Sequence, residues 1–331
     1  MKIDAFNHVF PIEFFEQVDG LMPDAAVKRW KSIKTIYDMD ARLRMLDEFD
    51  DYQQIISMSQ PPTDSIAGPD DSPKLTRVAN DGMARICREH PDRMPWFIAS
   101  LPMNNTDAAL AEIDRVLDEN GAIGFQLFTN VNNKALDQPE FRDIFAKIAE
   151  REKIIWLHPT RPGNHPDYLT EDRSFFEIFW GFGWAYETSA AMARIVCSGM
   201  FDEIPNLKII AHHWGAYAPH AEGRFSPAWE NRNAVMGDEQ GFAGKLRKPL
   251  VDYFKKDFFG DTAMFGAQAA SQAGLDFFGA DHSVFATDAP YDHEGGAYNI
   301  RSTLKVIENL RCTEEDRQMM FEHNARALFG I

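Results

Sequence analysis

The stretch KIIWLHP, residues 153–159, decides how the rest of this sequence is interpreted. Its apolar run is short and does not alternate with polar residues, which is typical of a strand buried on both faces in a parallel sheet. His158 follows the run directly, and Pro159 then ends the strand. The stretch therefore predicts a buried parallel strand that carries a histidine at its carboxyl end.

The same pattern recurs along the whole chain. Eight strands are predicted, namely KIDAF (2–6), QQIISM (53–58), WFIASL (96–101), AIGFQLF (122–128), KIIWLH (153–158), LKIIAH (207–212), KDFFGDT (256–262) and SVFATD (283–288). Segments with helical periodicity lie between most of them, at 40–50, 70–91, 107–120, 138–152 and 187–205. Strands that alternate with helices indicate right-handed βαβ units, and eight such units favour a closed α/β fold, the (β/α)8 TIM barrel.

We expect a single domain over residues 1–331, with two insertions that act as lids over the barrel mouth, at about 9–39 and 160–186. The second insertion is crowded with aromatic residues: Tyr168, Phe175, Phe176, Phe179, Trp180, Phe182, Trp184 and Tyr186. The simplest interpretation is that they pack on the barrel rim. Two alternatives stay open, an apolar wall for a planar substrate and a contact between two copies of the chain.

Composition and charge exclude several classes of function. The 331 residues include 34 Lys and Arg against 51 Asp and Glu, a net charge of −17, so neither a nucleic acid nor a membrane surface is an expected partner. No apolar run approaches the length of a transmembrane helix. The three cysteines form no CxxC pair and are expected to be reduced thiols; they are Cys87, Cys197 and Cys312. A cytoplasmic location is therefore expected.

Three polar residues at strand ends are candidate metal ligands. His8 lies just beyond the first strand, His158 ends the fifth and Asp288 ends the eighth. The carboxyl ends of barrel strands meet on one face, and a buried carboxylate needs a cation or several donors. Two imidazoles and one carboxylate are a usual ligand set for catalytic zinc. We therefore expect one divalent metal, with zinc preferred over manganese.

Further candidates lie beside this set. His212 and His213 follow the sixth strand, and strand alternation lets only one of them face the barrel axis. His213 is the candidate acid–base residue, and the alternative is a hydrogen bond to nearby backbone. Arg161 and Arg224 could each bind a substrate carboxylate through two hydrogen bonds. The simpler interpretation is that both arginines form ion pairs on the protein surface.

Four segments resemble the amidohydrolase-related family, and in particular its branch of aminocarboxymuconate-semialdehyde and γ-resorcylate decarboxylases. The segments are NHVFP (7–11), 125–159, 186–225 and FATDAPYD (285–292), and the resemblance extends over nearly the whole chain. It implies a (β/α)8 barrel with one divalent metal, usually zinc or manganese. It also implies nonoxidative decarboxylation, with relatives that hydrolyse C–C bonds, and assembly as a homodimer.

The resemblance also implies roles for particular residues. The family's two N-terminal ligands fall on Phe6 and His8, its next histidine ligand on His158, its acid–base histidine on His213 and its last aspartate on Asp288. Phe6 departs from the family because a phenyl ring cannot bind a metal. Three ligands remain, which is enough for catalytic zinc. The alternative is a metal-free protein in which Phe6 forms an apolar floor.

The predicted function is a metal-dependent nonoxidative decarboxylase, a carbon–carbon lyase, acting on a small aromatic or unsaturated carboxylic acid. In this hypothesis the metal binds the substrate carboxylate, and His213 or Asp288 delivers the proton to the carbon that loses CO2. The residues expected to contact the substrate are Phe6, Arg161, Trp184 and Arg224. The alternatives are a hydrolase of C–C or ester bonds, with a water activated by Asp288, and a metal-free member altered by Phe6.

Overall fold

Eight parallel strands form one sheet whose order follows the sequence. A computed structural model describes residues 1–22, 24–225, 227–236 and 246–331 of the chain. The strands are β1 (Lys2–Val9), β2 (Tyr52–Met58), β3 (Trp96–Ser100), β4 (Gly124–Phe128), β5 (Ile154–His158), β6 (Ile209–Ala211), β7 (Phe258–Asp261) and β8 (Ser283–Val284). All eight predicted strands are present. A separate two-stranded ribbon joins Asn130–Val131 to Lys134–Ala135.

The sheet closes through backbone hydrogen bonds between β1 and the segment that follows β8. The Ala5 amide donates to the carbonyl of Phe285 at 2.8 Å, and the His8 amide donates to the carbonyl of Ala289 at 2.7 Å. In the other direction, the Asp288 amide donates to a carbonyl on β1 at 3.1 Å. The predicted (β/α)8 TIM barrel is therefore confirmed, and the first and last strands meet at its seam.

Helices connect successive strands around the barrel. They are Ile12–Val18, Asp24–Ser32, Met39–Leu46, Thr63–Ile66, Ser72–Glu89, Thr106–Arg115, Arg142–Glu150, Trp184–Cys197, Met200–Glu203, Pro227–Met236, Leu250–Lys256, Gln268–Phe278, Ala297–Glu308, Glu314–Gln318 and Asn324–Phe329. Single 3-10 or π turns lie at Lys34–Ile36, Val116–Asn120, Pro139–Phe141, Phe179–Gly183, Glu222–Arg224, Ala280–His282 and Met319–His323. Each predicted helical segment contains a helix, with ends that differ by a few residues.

Two apolar layers hold this arrangement together. One fills the barrel interior with side chains from the strands, among them Ile3, Phe6, Ile55, Ile98, Trp156, Ile210 and Val284. A larger layer lies between the strands and the helices. Because each strand is covered on both sides, the strand sequences are apolar without alternation, as the stretch at 153–159 predicted.

Both insertions contain local structure. The first holds the helices Ile12–Val18 and Asp24–Ser32, and the second runs into the helix Trp184–Cys197. Among the described residues, no helix has both the length and the apolar character that crossing a membrane requires.

Candidate active site

Three histidines and one aspartate converge at the carboxyl ends of the strands. His8 Nε2 lies 2.8 Å from Asp288 Oδ1, and His212 Nε2 lies 3.4 Å from the same oxygen. Ligand atoms of His8, His158 and Asp288 all lie within 4.8 Å of one another. The His158 and His212 rings stack, with centroids 5.2 Å apart. All four side chains are buried, so their nitrogen and oxygen atoms face one another away from bulk water.

The end of β1 is held by a buried arginine. Arg42 donates to the His8 carbonyl at 3.0 Å, to Asn7 Oδ1 at 2.7 Å and to Gln54 Oε1 at 2.9 Å. Just before this point the register of β1 against β2 shifts, between Asp4 and Asn7, as at a β-bulge. The arginine therefore fixes Asn7 on the outer side of the strand, which leaves His8 facing the barrel axis.

The hydrogen bonds of His8 and His158 fix their tautomers. His8 Nδ1 lies 3.3 Å from the Met58 carbonyl, and His158 Nδ1 lies 2.6 Å from the Pro159 carbonyl. A carbonyl can only accept, so both Nδ1 atoms carry a proton, and the Nε2 atoms of both rings face the cluster, that of His8 at 2.8 Å from the Asp288 carboxylate. Burial, together with the neighbouring His212, holds the pKa of His158 well below its usual range, so this ring is neutral.

Asp261, at the end of β7, is a fully buried acceptor for several donors. Its Oδ1 accepts from the backbone amides of His213 (2.9 Å) and Ala263 (3.1 Å). Its Oδ2 accepts from Trp156 Nε1 (3.2 Å) and from His212 Nδ1. These hydrogen bonds give both oxygens of the Asp261 carboxylate a donor. They also orient the His212 ring so that its Nε2 atom points at the cluster. Burial lowers the pKa of His212, but the Asp261 carboxylate outweighs it and raises that pKa to about 9.

The chain makes a strained turn after β6. His213, Trp214 and Ala216 have positive φ angles of 55°, 51° and 57°, a region that costs about 1–3 kcal/mol for each such residue. Within this turn, His213 Nδ1 donates to the Ala263 carbonyl. Burial and the adjacent His212 lower the pKa of His213 to about 4, so its ring is neutral near pH 7.

A cavity of about 480 Å³ opens above the cluster. Its lining consists of His8, Met22, Arg29, Trp30, Gln60, Pro61, His158, Glu177, Phe179, Trp180, Trp184, Phe265, Asp288 and Tyr291. The first insertion supplies Arg29 and Trp30, and the second supplies Trp180. A cavity of this size, with aromatic walls and a few polar groups at its base, suits a small planar ligand.

The structure separates the predicted substrate contacts. Trp184 lines the cavity. Phe6 does not: it is fully buried beneath the cluster, with its ring centroid 4.6 Å from that of His212. Arg161 donates to Glu187 at 3.1 Å and borders a neighbouring cavity instead. Arg224 is exposed on the Glu222–Arg224 turn and does not line the cavity above His8.

Some residues of the site escaped the sequence analysis. His213 was the acid–base candidate of its pair, but His212 Nε2 also faces the cluster, 3.4 Å from Asp288 Oδ1, and ligand atoms of His212, His213 and Asp288 all lie within 4.8 Å of one another. Strand alternation does not apply because β6 ends at Ala211 and the backbone turns there. Asp261 could have been found, since it ends the seventh strand and Asp288 ends the segment predicted as the eighth. Nothing in the pattern around Arg29 points to the cavity.

A family model described as amidohydrolase matches residues 3–331. The chain belongs to the amidohydrolase family. Among its relatives, the γ-resorcylate decarboxylase of Rhodococcus jostii is 30% identical over 303 residues, covering 88% of this chain and 87% of that protein. The γ-resorcylate decarboxylase of a Rhizobium species is 30% identical over 348 residues, covering 100% and 98%.

Solved structures agree with this membership. A dihydroxybenzoic acid decarboxylase from Polaromonas, with bound manganese and the inhibitor 2-nitroresorcinol, is 26% identical with a TM-score of 0.79, over 99% of this chain and 96% of that chain. A 2,6-dihydroxybenzoate decarboxylase in complex with 2,6-dihydroxybenzoate is 25% identical with a TM-score of 0.81, over 99% and 98%. These comparisons confirm the predicted family and the predicted enzyme class, a carboxy-lyase, within the amidohydrolases.

Proposed function

We propose that this amidohydrolase is a metal-dependent nonoxidative decarboxylase of a small hydroxylated benzoic acid. The observation that carries the proposal is the convergence of His8, His158 and Asp288 at the base of a cavity walled by planar aromatic side chains. The decarboxylases of dihydroxybenzoic acids among its relatives support the same substrate class.

The donor set fits one divalent metal ion. His8 and His158 each direct an Nε2 atom at the cluster, and Asp288 presents a carboxylate oxygen. Imidazole donors suit zinc, whereas the related Polaromonas structure carries manganese, so we propose one ion of either kind. When bound, such an ion holds the substrate carboxylate and stabilises the negative charge that develops during the reaction.

The cavity walls bind and orient the substrate ring. Trp180 and Trp184 offer planar faces for stacking on an aromatic acid, and they exclude water from it. Arg29 lines this cavity, and its guanidinium offers paired donors to a carboxylate or a phenolic oxygen. The proposal gives Arg29 the anchoring role first considered for Arg161 and Arg224.

Asp288 is the proposed proton carrier. His212 and His8 outweigh the effect of burial and hold the pKa of Asp288 well below its usual range, so its carboxylate is ionised before substrate binds. It accepts the proton of the substrate hydroxyl and gives that proton to the ring carbon that bears the carboxylate. The bond to the carboxylate carbon then breaks, its electrons return to the ring, and CO2 leaves. The product phenolate takes a proton from solvent.

His213 is less suited to this step than Asp288. Its Nδ1 proton is engaged by the Ala263 carbonyl, its ring is neutral near pH 7, and the residue does not line the cavity. We propose that His213 instead supports the turn that carries His212, because its backbone amide donates to Asp261.

Assembly and location are also proposals. Leu169, Phe176 and Phe182 are strongly exposed, at 102%, 93% and 67%, and apolar groups of this kind support a homodimer. Cys87, Cys197 and Cys312 are all free, which supports a reducing, cytoplasmic location.

The test is product analysis in labelled water together with metal analysis. We expect CO2 release, one solvent deuterium on the ring carbon and about one equivalent of metal per chain in the purified protein. The His158→Ala variant should lose both the metal and the activity, whereas His165→Ala, an exposed histidine outside the cluster, should retain both. Incorporation of 18O from water into a new carboxylate would identify a hydrolase. Activity of His158→Ala within a few fold of wild type would remove the metal from the mechanism.

A further inference from the structure

A small cavity lies between the segment that follows β2 and the carboxyl ends of β3 and β4. Its lining includes Asp64 from the short helix Thr63–Ile66, Ser100 from β3 and Gln126 from β4, and its volume is about 10 Å³. A water molecule needs about 10–15 Å³ of such space, and cavities that stay empty are apolar. The size and the polar lining of this cavity therefore suit a single water.

The Gln126 amide leaves a buried acceptor without a donor. Its Nε2 atom donates to the Met58 carbonyl at 3.0 Å. Because a carbonyl can only accept, this hydrogen bond fixes which end of the amide points at Met58. The Oε1 atom lies at the other end, buried and with no hydrogen-bond partner among the described residues. Native proteins rarely leave such an atom unpaired, and a bound water is a usual partner.

The Asp64 carboxyl is a second acceptor that lines the same cavity. It is 4% exposed, and among the described residues its own backbone amide is the donor that contacts it. Burial raises the pKa of Asp64 to about 7, so both the neutral and the ionised form are present near neutral pH. A water can donate to the carboxylate or accept from the neutral carboxyl. A cation would stabilise the ionised form alone, so water fits the site better.

The Gln126 amide is connected to the proposed metal site through one carbonyl. The Met58 carbonyl accepts from Gln126 Nε2 and also lies 3.3 Å from His8 Nδ1. A carbonyl in this position holds the His8 proton on Nδ1 and orients the ring so that Nε2 faces the cluster. Whatever fixes the Gln126 amide therefore also fixes the carbonyl that orients His8.

We propose that this cavity binds one water molecule that bridges Gln126 Oε1 and the Asp64 carboxyl, and that Gln126 is a positioning residue for His8. The two protons of the water match the two acceptors when Asp64 is ionised. With Oε1 held by this bridging water, the amide cannot turn away from Met58. The bridging water itself does not depend on the proposed function, whereas the link to His8 rests on the proposed metal site.

The first test counts buried waters in the full-length protein. A crystal structure of the wild type should show one water at about 2.5–3.0 Å from Gln126 Oε1 and from an Asp64 oxygen. In solution, oxygen-17 relaxation dispersion should count one long-lived water fewer in Asp64→Leu than in the wild type. Asp64→Asn keeps an acceptor and should retain the water. The control is Gln53→Leu, since the Gln53 amide donates to the Asp92 carbonyl and does not line this cavity.

The second test measures zinc affinity in competition with a chelator. We expect Gln126→Leu and Asp64→Leu to lower this affinity about tenfold, as is typical when a residue that supports a metal ligand is lost. Asp64→Asn, which retains the water, should bind zinc as the wild type does. Tm measured on the same samples identifies any variant that has lost its fold, and rescue in Asp64→Asn distinguishes positioning from general destabilisation.

An empty cavity in the wild type, or the same number of waters in the wild type and Asp64→Leu, would overturn the water site. A density peak with about six oxygen neighbours at about 2.4 Å would identify a cation and overturn it as well. Unchanged zinc affinity in Gln126→Leu would overturn the positioning role. A wild type that binds neither zinc nor manganese would overturn the proposed metal dependence together with that role, while the water count still decides the water site. Should the leucine variants not fold, the wild-type crystal structure decides it alone.

Discussion

His8 Nε2 and Asp288 Oδ1 lie 2.8 Å apart although 280 positions separate the two residues in the chain. They meet because backbone hydrogen bonds join β1 to the segment after β8, for example from the His8 amide to the Ala289 carbonyl. The proposed metal site therefore bridges the seam of the barrel, and its ligands come together only when the barrel is closed.

Metal removal should lower the thermal stability of the protein. A ligand that binds only the closed barrel adds about 2.7 kcal/mol when its concentration is 100 times its dissociation constant. We expect a chelator to lower Tm by several degrees in the wild type and to have little effect on His8→Gln. Calorimetry with and without chelator measures this. The matched control is His165→Gln, in which the chelator should lower Tm as much as in the wild type. An equal decrease in Tm in the wild type and His8→Gln would place the stabilising ion elsewhere.

Asp64 should make stability fall as pH rises. Burial raises the pKa of this carboxyl from 3.8 to about 7. Between those values the folded chain binds more protons than the unfolded chain, so stability is lost as pH rises from about 4 to about 7, by roughly 4 kcal/mol. In urea unfolding at several pH values, Asp64→Asn should become more stable relative to wild type as pH rises. Parallel curves would contradict the prediction, and Asp70→Asn, at an exposed site, is the control.

Gly274→Ala should destabilise the protein even though alanine favours helices. A Cβ atom at Gly274 would lie 2.4 Å from two ring atoms of Trp214, which is buried in the turn after His213. Such overpacking costs about 1–3 kcal/mol, more than the gain of up to about 1 kcal/mol expected for Gly to Ala in a helix. Chemical denaturation measures the difference. Gly68→Ala, where a Cβ meets nothing within 4 Å, should be nearly neutral.

Arg42→Lys should be far from conservative. The Arg42 guanidinium donates hydrogen bonds to oxygen atoms of Asn7, His8 and Gln54. The single ammonium group of a lysine cannot reach all three acceptors. Burial lowers the pKa of Arg42 to about 10, which still leaves it charged near pH 7. We expect a loss of about 3 kcal/mol in unfolding free energy, because buried acceptors are left unpaired. Arg44→Lys, on the exposed face of the same helix, should change stability little, and equal effects would refute the assignment.

Arg29→Gln should weaken substrate binding without changing metal content. A charge-assisted hydrogen bond to a carboxylate contributes about 1.5–3 kcal/mol, so kcat/KM should fall about 10- to 100-fold, mainly through KM. Steady-state kinetics and metal analysis of the same preparations measure both quantities. The neighbouring Lys28→Gln, exposed and outside the cavity lining, is the control. An unchanged KM in Arg29→Gln would exclude this residue as the anchor.

The strand pattern predicted the barrel and the positions of His8, His158 and Asp288, because all three depend on where a buried strand ends. It did not predict which of His212 and His213 faces Asp288, because positive φ angles after Ala211 end the alternation of side chains. Such angles depend on packing, here of Trp214 against Gly274, and leave no periodic signal in the sequence.

The residues of the cavity walls were harder to predict than those of its base. Arg29 reaches the cavity from an insertion whose path over the barrel no local pattern fixes. Arg161, close to His158 in sequence, was the more obvious choice, but its guanidinium pairs with Glu187 and borders another cavity. Proximity along the chain is a poor guide to side-chain direction in loops, where neither helical nor strand periodicity applies.

The stacked rings of Phe6 and Trp156 place hydrocarbon directly beneath the histidines. The permittivity below the cluster is therefore low, and water cannot screen the Asp288 charge from that side. Coulomb interactions weaken in proportion to the local dielectric constant. The interaction between the Asp288 charge and a charged group in the cavity is therefore stronger here than it would be above a polar barrel floor. An uncharged aromatic ring thus strengthens the electric field that a reacting anion experiences.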